Sequence, residues 1–325
     1  MILLAGHDPG AKNHLKPLYD WLINNQKFAT FLDLSDPCVA KPHRHIEECL
    51  ISLQPNMLIC GSSSNRIELE WIEVANQANI PTVQIMDLGV GDLLNGIPSE
   101  RLARLFLVTN KGSQYQLIKL GIGKEKVVLT GSTHLERVAQ EAPQPNIKKI
   151  KTIYNLGPKE ILIPFFCAPN ATDVVGAIST LAELITHSQI EYPKIIVRAH
   201  PRCTDINLIA YTCQQYPHIH FDVDRLVTTT DLLTASRLSL SMMSTVSLES
   251  ATLGIPSAFY LLNWDSADHQ YLYRHVEEIP RIREQSDLSL FIDKSLQSSK
   301  QIPSYTLENF EGALLRTVSA IKEWL

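Results

Sequence analysis

Apolar residues along the chain fall into two alternating rhythms: short unbroken runs, and longer segments with one apolar stripe at helical spacing. Ile2–Ala5 is an apolar run that ends at Gly6, and residues 12–25 place Leu15, Leu18, Trp21 and Leu22 on one helix face. The same reading predicts strands at 28–34, Met57–Cys60, Pro81–Met86, Leu105–Thr109 and Val127–Thr130, with helices at 43–53, Glu68–Ala78 and 112–120 between them. Strands alternating with helices of about 10–15 residues imply parallel βαβ units and a doubly wound sheet.

Residues 139–159 break this rhythm. They are polar, contain Pro143, Pro145 and Pro158, and read as an interdomain connection. The alternation then restarts with strands at Glu160–Phe166, Lys194–Val197, Ile219–Phe221, Leu238–Ser241 and Ser257–Leu261. Helices are predicted at 172–187, 205–215 and 244–253, the first with Asn170 as N-cap. A final stripe of Leu307, Phe310, Leu314, Val318, Ile321 and Leu325 predicts a helix over 304–325. The expected organisation is therefore an N-terminal domain over 1–138, a linker over 139–159, a C-terminal domain over 160–303, and the closing helix.

Composition agrees with two domains. The chain has 325 residues, against about 150 per domain. With 45% hydrophobic and 19% charged residues it can build sizeable cores. The net charge is −5, with no Lys/Arg cluster, which disfavours nucleic-acid binding. The apolar runs are too short to span a bilayer, which leaves only peripheral association with a membrane open. MILLAGHDPG lacks the features of a secretory signal. The six cysteines form no CxxC pair and no zinc spacing, and read as reduced thiols of a cytoplasmic protein.

In open α/β sheets ligands bind beyond the carboxyl ends of the strands, so the chemistry is sought there. Gly6-His7-Asp8-Pro9-Gly10 follows the first strand and is not GxGxxG. No acidic residue is placed convincingly at the end of the second strand, so dinucleotide binding is a weak reading. His7 and Asp8 are candidate general bases, with Lys12 nearby as an acceptor contact. Gly131 and Ser132 follow the sixth strand and are candidate nucleotide-sugar contacts. Arg198 and His200 lie two apart in an extended exit, on one side of the chain, where a guanidinium and an imidazole suit a phosphate or sugar hydroxyl. Ser244 or Thr245 would cap the next helix, and Thr245, Ser247 and Glu249 follow, with Glu249 able to accept from a ribose diol. Asp265 and His269 lie in a polar, aromatic segment after the last apolar run and are further acceptor candidates.

Three stretches together resemble a known pattern. KIIVRAHPR resembles the K-x-H-P strand end of bacterial GT-B enzymes of the glycerophosphotransferase, polysialyltransferase and capsule-synthesis kind. LSLSMMSTVSLESATLGIPSAFY resembles their D-S-S-x-x-x-E segment, and LFLVTNKGSQYQLIKLGIGKEKVVLTGSTHLERV resembles an N-domain ending shared with non-hydrolysing UDP-N-acetylglucosamine 2-epimerases. The resemblance implies two Rossmann-like domains with a cleft between them, the nucleotide on the C-terminal one, and a last helix crossing back to the first. It maps His200, Ser244, Thr245 and Glu249 onto nucleotide contacts. The sequence departs from the pattern at Ser241-Met242-Met243, at Asp87-Leu88-Gly89 where the family often has His-Gly, and at Thr133-His134.

These readings converge on a cytoplasmic glycosyltransferase that needs no metal or other cofactor and takes a sugar from a nucleotide donor by inverting displacement. His7 or Asp8 would be the base, and Arg198 and the Ser244 helix start would stabilise the leaving diphosphate. A nucleotide-sugar 2-epimerase and a non-catalytic binding protein on the same fold are the alternatives.

Overall fold

The computed structural model describes residues 1–37, 39, 43–87, 93–141, 146–186, 192–242, 244–262, 279–297 and 310–325. They divide into two compact units: residues 1–137 with 310–325, and residues 138–262 with 279–297.

The first unit alternates β1 (Ile2–Gly6), α1 (Pro9–Asn24), β2 (Ala29–Asp33), α2 (His43–Leu53), β3 (Met57–Cys60), α3 (Ile67–Gln77), β4 (Thr82–Met86), β5 (Leu105–Val108), α4 (Lys111–Lys119) and β6 (Val127–Leu129), with α5 (Thr133–Gln140) leading out. Its six strands are parallel in the order β2-β1-β3-β4-β5-β6. Both faces of the sheet are covered. Leu3 and Ala5 pack with Leu58, Trp71 and Phe106 on one face, while Ile2 and Leu4 pack with Leu15, Leu18 and Leu22 of α1 on the other. Burial on both faces is why these strands read as continuous apolar runs rather than alternating ones. Burying each of the three α1 leucines contributes about 1.5–3 kcal/mol.

The second unit holds α6 (Ile147–Ile153), β7 (Ile161–Phe166), α7 (Ala171–Thr186), β8 (Pro193–Arg198), α8 (Ile206–Gln214), β9 (Ile219–Phe221), α9 (Thr229–Thr234), β10 (Ser239–Ser241), α10 (Val246–Thr252), β11 (Ser257–Tyr260), β12 (Arg281–Ile282) and α11 (Gln285–Gln297). Its sheet is also parallel, in the order β12-β11-β10-β7-β8-β9. Each sheet thus reverses its strand order once, between β1 and β3 in the first unit and between β7 and β10 in the second. Crevices at such reversals are where doubly wound sheets hold ligands.

Three expectations change. The polar segment 139–159 contains α6, whose Ile150 and Tyr154 join the core of the second unit. The end of β2 does carry an acid: Asp33 pairs with Gly6 in register. Burial raises its pKa, but hydrogen bonds from Ser35 and Lys12 outweigh that and hold it below the usual carboxylate value.

The last helix is shorter than its stripe. α12 (Ala313–Ala320) starts after Gly312, whose φ of +74° suits glycine, and Phe310 precedes it. Glu136 of α5 stops the helix there, accepting the Gly312 N–H at 2.6 Å and the Leu314 N–H at 2.7 Å. A carboxylate on two N-terminal amides is favoured by both hydrogen bonding and the helix dipole. Ile321 is buried in the first unit's core, and Leu314, Val318 and Leu325 pack against it.

Cys60, Cys167 and Cys213 are buried, Cys49 and Cys203 half-buried, and no disulfide joins the described cysteines. Burial pushes the Cys213 thiol up to about 12 and those of Cys60 and Cys167 well above the usual value. Cys38, Asp265 and His269 lie outside the described residues. No helix among the described residues is long and apolar enough to cross a membrane.

Candidate functional site

At the carboxyl edge of the first sheet, the exits of β1 and β3 meet at the reversal of strand order. Gly61 permits this: a Cβ there would lie 2.5 Å from the Ala11 Cβ, so only glycine lets the β3 exit lie against the first turn of α1. Pro9 opens α1, where its missing N–H has no cost. The helix start therefore turns sharply after His7 and Asp8, and both side chains stay at the edge, partly exposed.

His7 Nδ1 lies 2.8 Å from Asp8 Oδ1, and its Nε2 lies 3.1 Å from Asn65 Nδ2. Asp8 Oδ2 accepts from the backbone N–H of Ser64 at 3.2 Å and from its hydroxyl at 3.1 Å. The His7 backbone N–H donates to Glu68 Oε1 at 3.0 Å, and Glu68 Oε2 contacts the Ser63 hydroxyl. Glu68 sits in the first turn of α3 and is 1% exposed. Burial raises its pKa, and the nearby Asp8 charge adds to that, against opposing hydrogen bonds from Ser63 and the backbone.

A second histidine reaches the same edge from α1. His14 is buried, with Nε2 3.3 Å from Asp87 Oδ1 at the end of β4, and its ring stands edge-on to His134 at 5.9 Å. Gly10 leaves room for Asp87: a Cβ there would lie 2.7 Å from Oδ2. The strand end that lacks a histidine in sequence thus receives one from a helix.

Other predicted residues of this unit have local tasks. Lys12 binds Asp33 at 3.0 and 3.1 Å and the Ser35 hydroxyl at 3.1 Å. Gly131 follows β6 with φ +83°, and Ser132 Oγ accepts from the Leu135 N–H at the start of α5. Both belong to the first unit.

At the carboxyl edge of the second sheet the expected Arg198–His200 pair does not form. β8 ends at Arg198, so the alternation of an extended chain does not continue to His200. Arg198 is 4% exposed and turns inward. Its Nε donates to Asp222 Oδ2 at 2.7 Å, and its other nitrogens donate to Tyr154 Oη, the Val227 carbonyl and Thr229 Oγ1. Tyr154 donates to the same Asp222 oxygen at 2.8 Å. Burial chiefly pushes Tyr154 up to about 12. The arrangement ties α6, β8 and the loops around α9 together.

His200 is half-buried beyond the strand. Its Nδ1 accepts from the Arg202 backbone N–H at 3.1 Å, which puts the proton of the neutral ring on Nε2.

The serines after β10 are mostly interior. Ser241 Oγ and Ser247 Oγ are 2.8 Å apart, Ser239 donates to Ser250 at 2.8 Å, and Ser257 donates to the Ser247 carbonyl. These small hydroxyls let α10 lie close on β10 and β11. Glu249 is buried in the first turn of α10. Ser244 and Thr245 remain half-exposed at the helix start, where Ser244 Oγ accepts from the Val246 N–H at 3.3 Å.

Sequence reasoning missed Glu68, Ser63, Ser64 and Asn65, and the pairing of His14 with Asp87. The signal available was the run Gly61-Ser62-Ser63-Ser64-Asn65 directly after an apolar strand.

No protein-family model and no curated protein sequence matches the chain. Solved structures do. The UDP-GlcNAc 2-epimerase of Neisseria meningitidis, bound to UDP-GlcNAc, is 13% identical with a TM-score of 0.75, over 99% of both chains. A putative UDP-N-acetylglucosamine 2-epimerase of Listeria monocytogenes is 13% identical with a TM-score of 0.76, over 99% of this chain and 96% of that one. The wall teichoic acid polymerase TagF, soaked with CDPG, is 13% identical with a TM-score of 0.61, over 99% of this chain and 89% of that one. These likenesses and the two parallel six-stranded sheets establish the fold: two Rossmann-like doubly wound units of the GT-B type.

Proposed function

We propose that the protein is a glycosyltransferase that moves a sugar from a nucleotide-activated donor to an acceptor hydroxyl, with His7 as general base and Asp8 as the group that orients it. The observation that supports this most is the His7–Asp8 pair at the strand-order reversal of the first sheet. With Nδ1–H donating to Asp8, the unprotonated nitrogen is Nε2, on a ring that is partly exposed. It would take the proton of the acceptor hydroxyl, which displaces the Asn65 amide from that nitrogen, while that oxygen attacks the anomeric carbon and the bond to the phosphate breaks.

The second unit would hold the nucleotide. His200, with Nε2 as its donor, and the half-exposed Ser244 and Thr245 are the groups suited to phosphate oxygens. Arg198, with its donors engaged inside the unit, is left out of that role. The similar structures were solved with UDP-GlcNAc and with CDPG, which makes uridine and cytidine nucleotides the first to test.

A thermal-shift screen with UDP, CDP, GDP and CMP tests the binding step. A ligand at a hundredfold excess over Kd stabilises by about 2.7 kcal/mol. One nucleotide raising the melting temperature is expected; none doing so would point to a fold that has lost the activity. A nucleotide-sugar 2-epimerase is the second reading, favoured by the higher TM-scores of the two epimerases. Incubation with nucleotide sugar and no acceptor separates the two, since only an epimerase changes the sugar without one.

A further inference from the structure

Around His7 the hydrogen bonds close into a chain in which each proton has only one place to go. Asn65 Oδ1 accepts the Ile67 backbone N–H at 3.2 Å. A backbone N–H can only donate, so the amide of Asn65 is oriented, and its Nδ2 is the atom facing His7 Nε2 at 3.1 Å. His7 Nε2 is then an acceptor, and the ring proton sits on Nδ1, directed at Asp8 Oδ1. On the other side, the Ser63 hydroxyl lies 2.8 Å from Asn65 Oδ1. A carbonyl oxygen carries no proton, so the single hydroxyl proton of Ser63 goes there. Ser63 Oγ also contacts Glu68 Oε2, and with the serine proton already placed, the proton in that contact belongs to Glu68.

We propose that Glu68 is a neutral carboxylic acid and a positioning residue that sets, through Ser63 and Asn65, which ring nitrogen of His7 lacks a proton. In that state its carbonyl oxygen accepts the His7 N–H at 3.0 Å, and the Ser63–Glu68 contact, in which a charged Glu68 accepts from the serine, runs the other way, with the carboxyl as donor. Burial at 1% exposure favours the uncharged form. The titratable groups facing it agree. Asp8 on the β1 exit disfavours a second negative charge, and Cys60 on β3 is itself buried and held neutral by burial.

The alternative protonation state is linked to His7. If Glu68 ionises, it accepts the hydrogen bond of the Ser63 hydroxyl, which leaves two acceptors facing each other at the Ser63–Asn65 contact. Asn65 must then turn over, which sets its NH₂ group against the Ile67 N–H and its oxygen against His7 Nε2, a contact that requires a proton on that nitrogen. An ionised Glu68 is therefore incompatible with a bare Nε2 facing Asn65, and neutral Glu68 keeps the ring proton on Nδ1. The word base for His7 rests on the proposed function; the order of protons does not.

The test uses the full chain without substrate. Glu68→Gln reproduces the neutral acid, with an oxygen for the His7 N–H and an NH₂ for Ser63, whereas Glu68→Ala removes both bonds. At neutral pH the wild type is expected to show a protonated-carboxyl carbonyl stretch in infrared difference spectra against Glu68→Gln. Ring ¹⁵N shifts of His7 are expected to show Nδ1–H and bare Nε2 in both of those proteins. Glu68→Ala is expected to lose the single tautomer and give a mixture. Absence of the carboxyl band, or a tautomer shifted by Glu68→Gln, would overturn the proposal. Both decisive readouts survive if Glu68→Ala fails to fold. Neither needs turnover, so they stand apart from failure of the glycosyltransferase reading.

Discussion

The exits of β3 and β10 occupy equivalent places, each beside the strand at which its sheet reverses order, yet they are built from different chemistry. Beyond β3 and its neighbours lie two sets of ionisable groups, His7 bonded to Asp8 and through its backbone N–H to Glu68, and His14 beside Asp87. Beyond β10 the side chains are hydroxyls, most of them buried against each other, and the nearby charge pair of Arg198 and Asp222 faces inward. Proton transfer needs groups that can change charge, whereas holding a phosphate needs fixed donors. The proposed function assigns the former to the first edge and the latter to the second, where Ser244 and Thr245 stay half-exposed.

That contrast can be broken at its structural end by Arg198→Ala. It would leave Asp222 as a buried charge without its cation, and removing one member of such a pair costs about 3–5 kcal/mol. Denaturant unfolding followed by hydrogen exchange should show the loss in residues 146–186 and 192–242. Unchanged stability with lost nucleotide binding would return Arg198 to the ligand. A smaller effect is expected from Glu136→Ala, which removes the acceptor of two amides at the α12 start and should cost about 0.5–2 kcal/mol, as lost caps do. Faster exchange confined to 313–321 is the expected sign, and no change there would show that packing of Ile321 alone holds the helix.

The pH dependence of stability sharpens the contrast further. Burial raises the Glu68 pKa in the folded chain, so between the ordinary glutamate value and the raised one the folded chain binds more protons than the unfolded chain. Stability should therefore fall as pH rises through that window and level off above it. Glu68→Gln should lack the fall when melting temperatures are compared across pH. Parallel curves would mean that Glu68 is not the group titrating. The smallest effect is expected from Lys12→Met. The Lys12–Asp33 pair is partly exposed, and such pairs contribute about 0.2–1 kcal/mol, screened by salt.

The fold was largely legible because both sheets are covered on both faces. Runs such as Met57–Cys60 and Ile219–Phe221 stand out against helices with one apolar stripe, and the structure places those strands at the same residues. The short elements α6, α9 and β12 were not legible, being too brief for a period to declare itself. The closing helix was overread because Phe310 and Leu314 keep helical spacing across Gly312, where the Glu136 contact sets the true start.

The first edge was legible in part. His7 and Asp8 follow an apolar strand in sequence, but Glu68 and Asn65 join them only because β1 and β3 are neighbours in the sheet, a fact of strand order that local pattern does not contain. The second edge misled for a related reason. Arg198 and His200 were assigned one side of an extended chain, and the strand stops between them.

The central claim, that His7 takes the acceptor proton while the second unit holds the nucleotide, is tested most directly by measuring kcat and nucleotide affinity together in His7→Ala. Loss of a general base lowers kcat by about 10²–10⁴-fold, and the account predicts that loss with nucleotide Kd unchanged. Turnover that survives His7→Ala, or nucleotide affinity that falls along with it, would contradict the division of labour between the two edges.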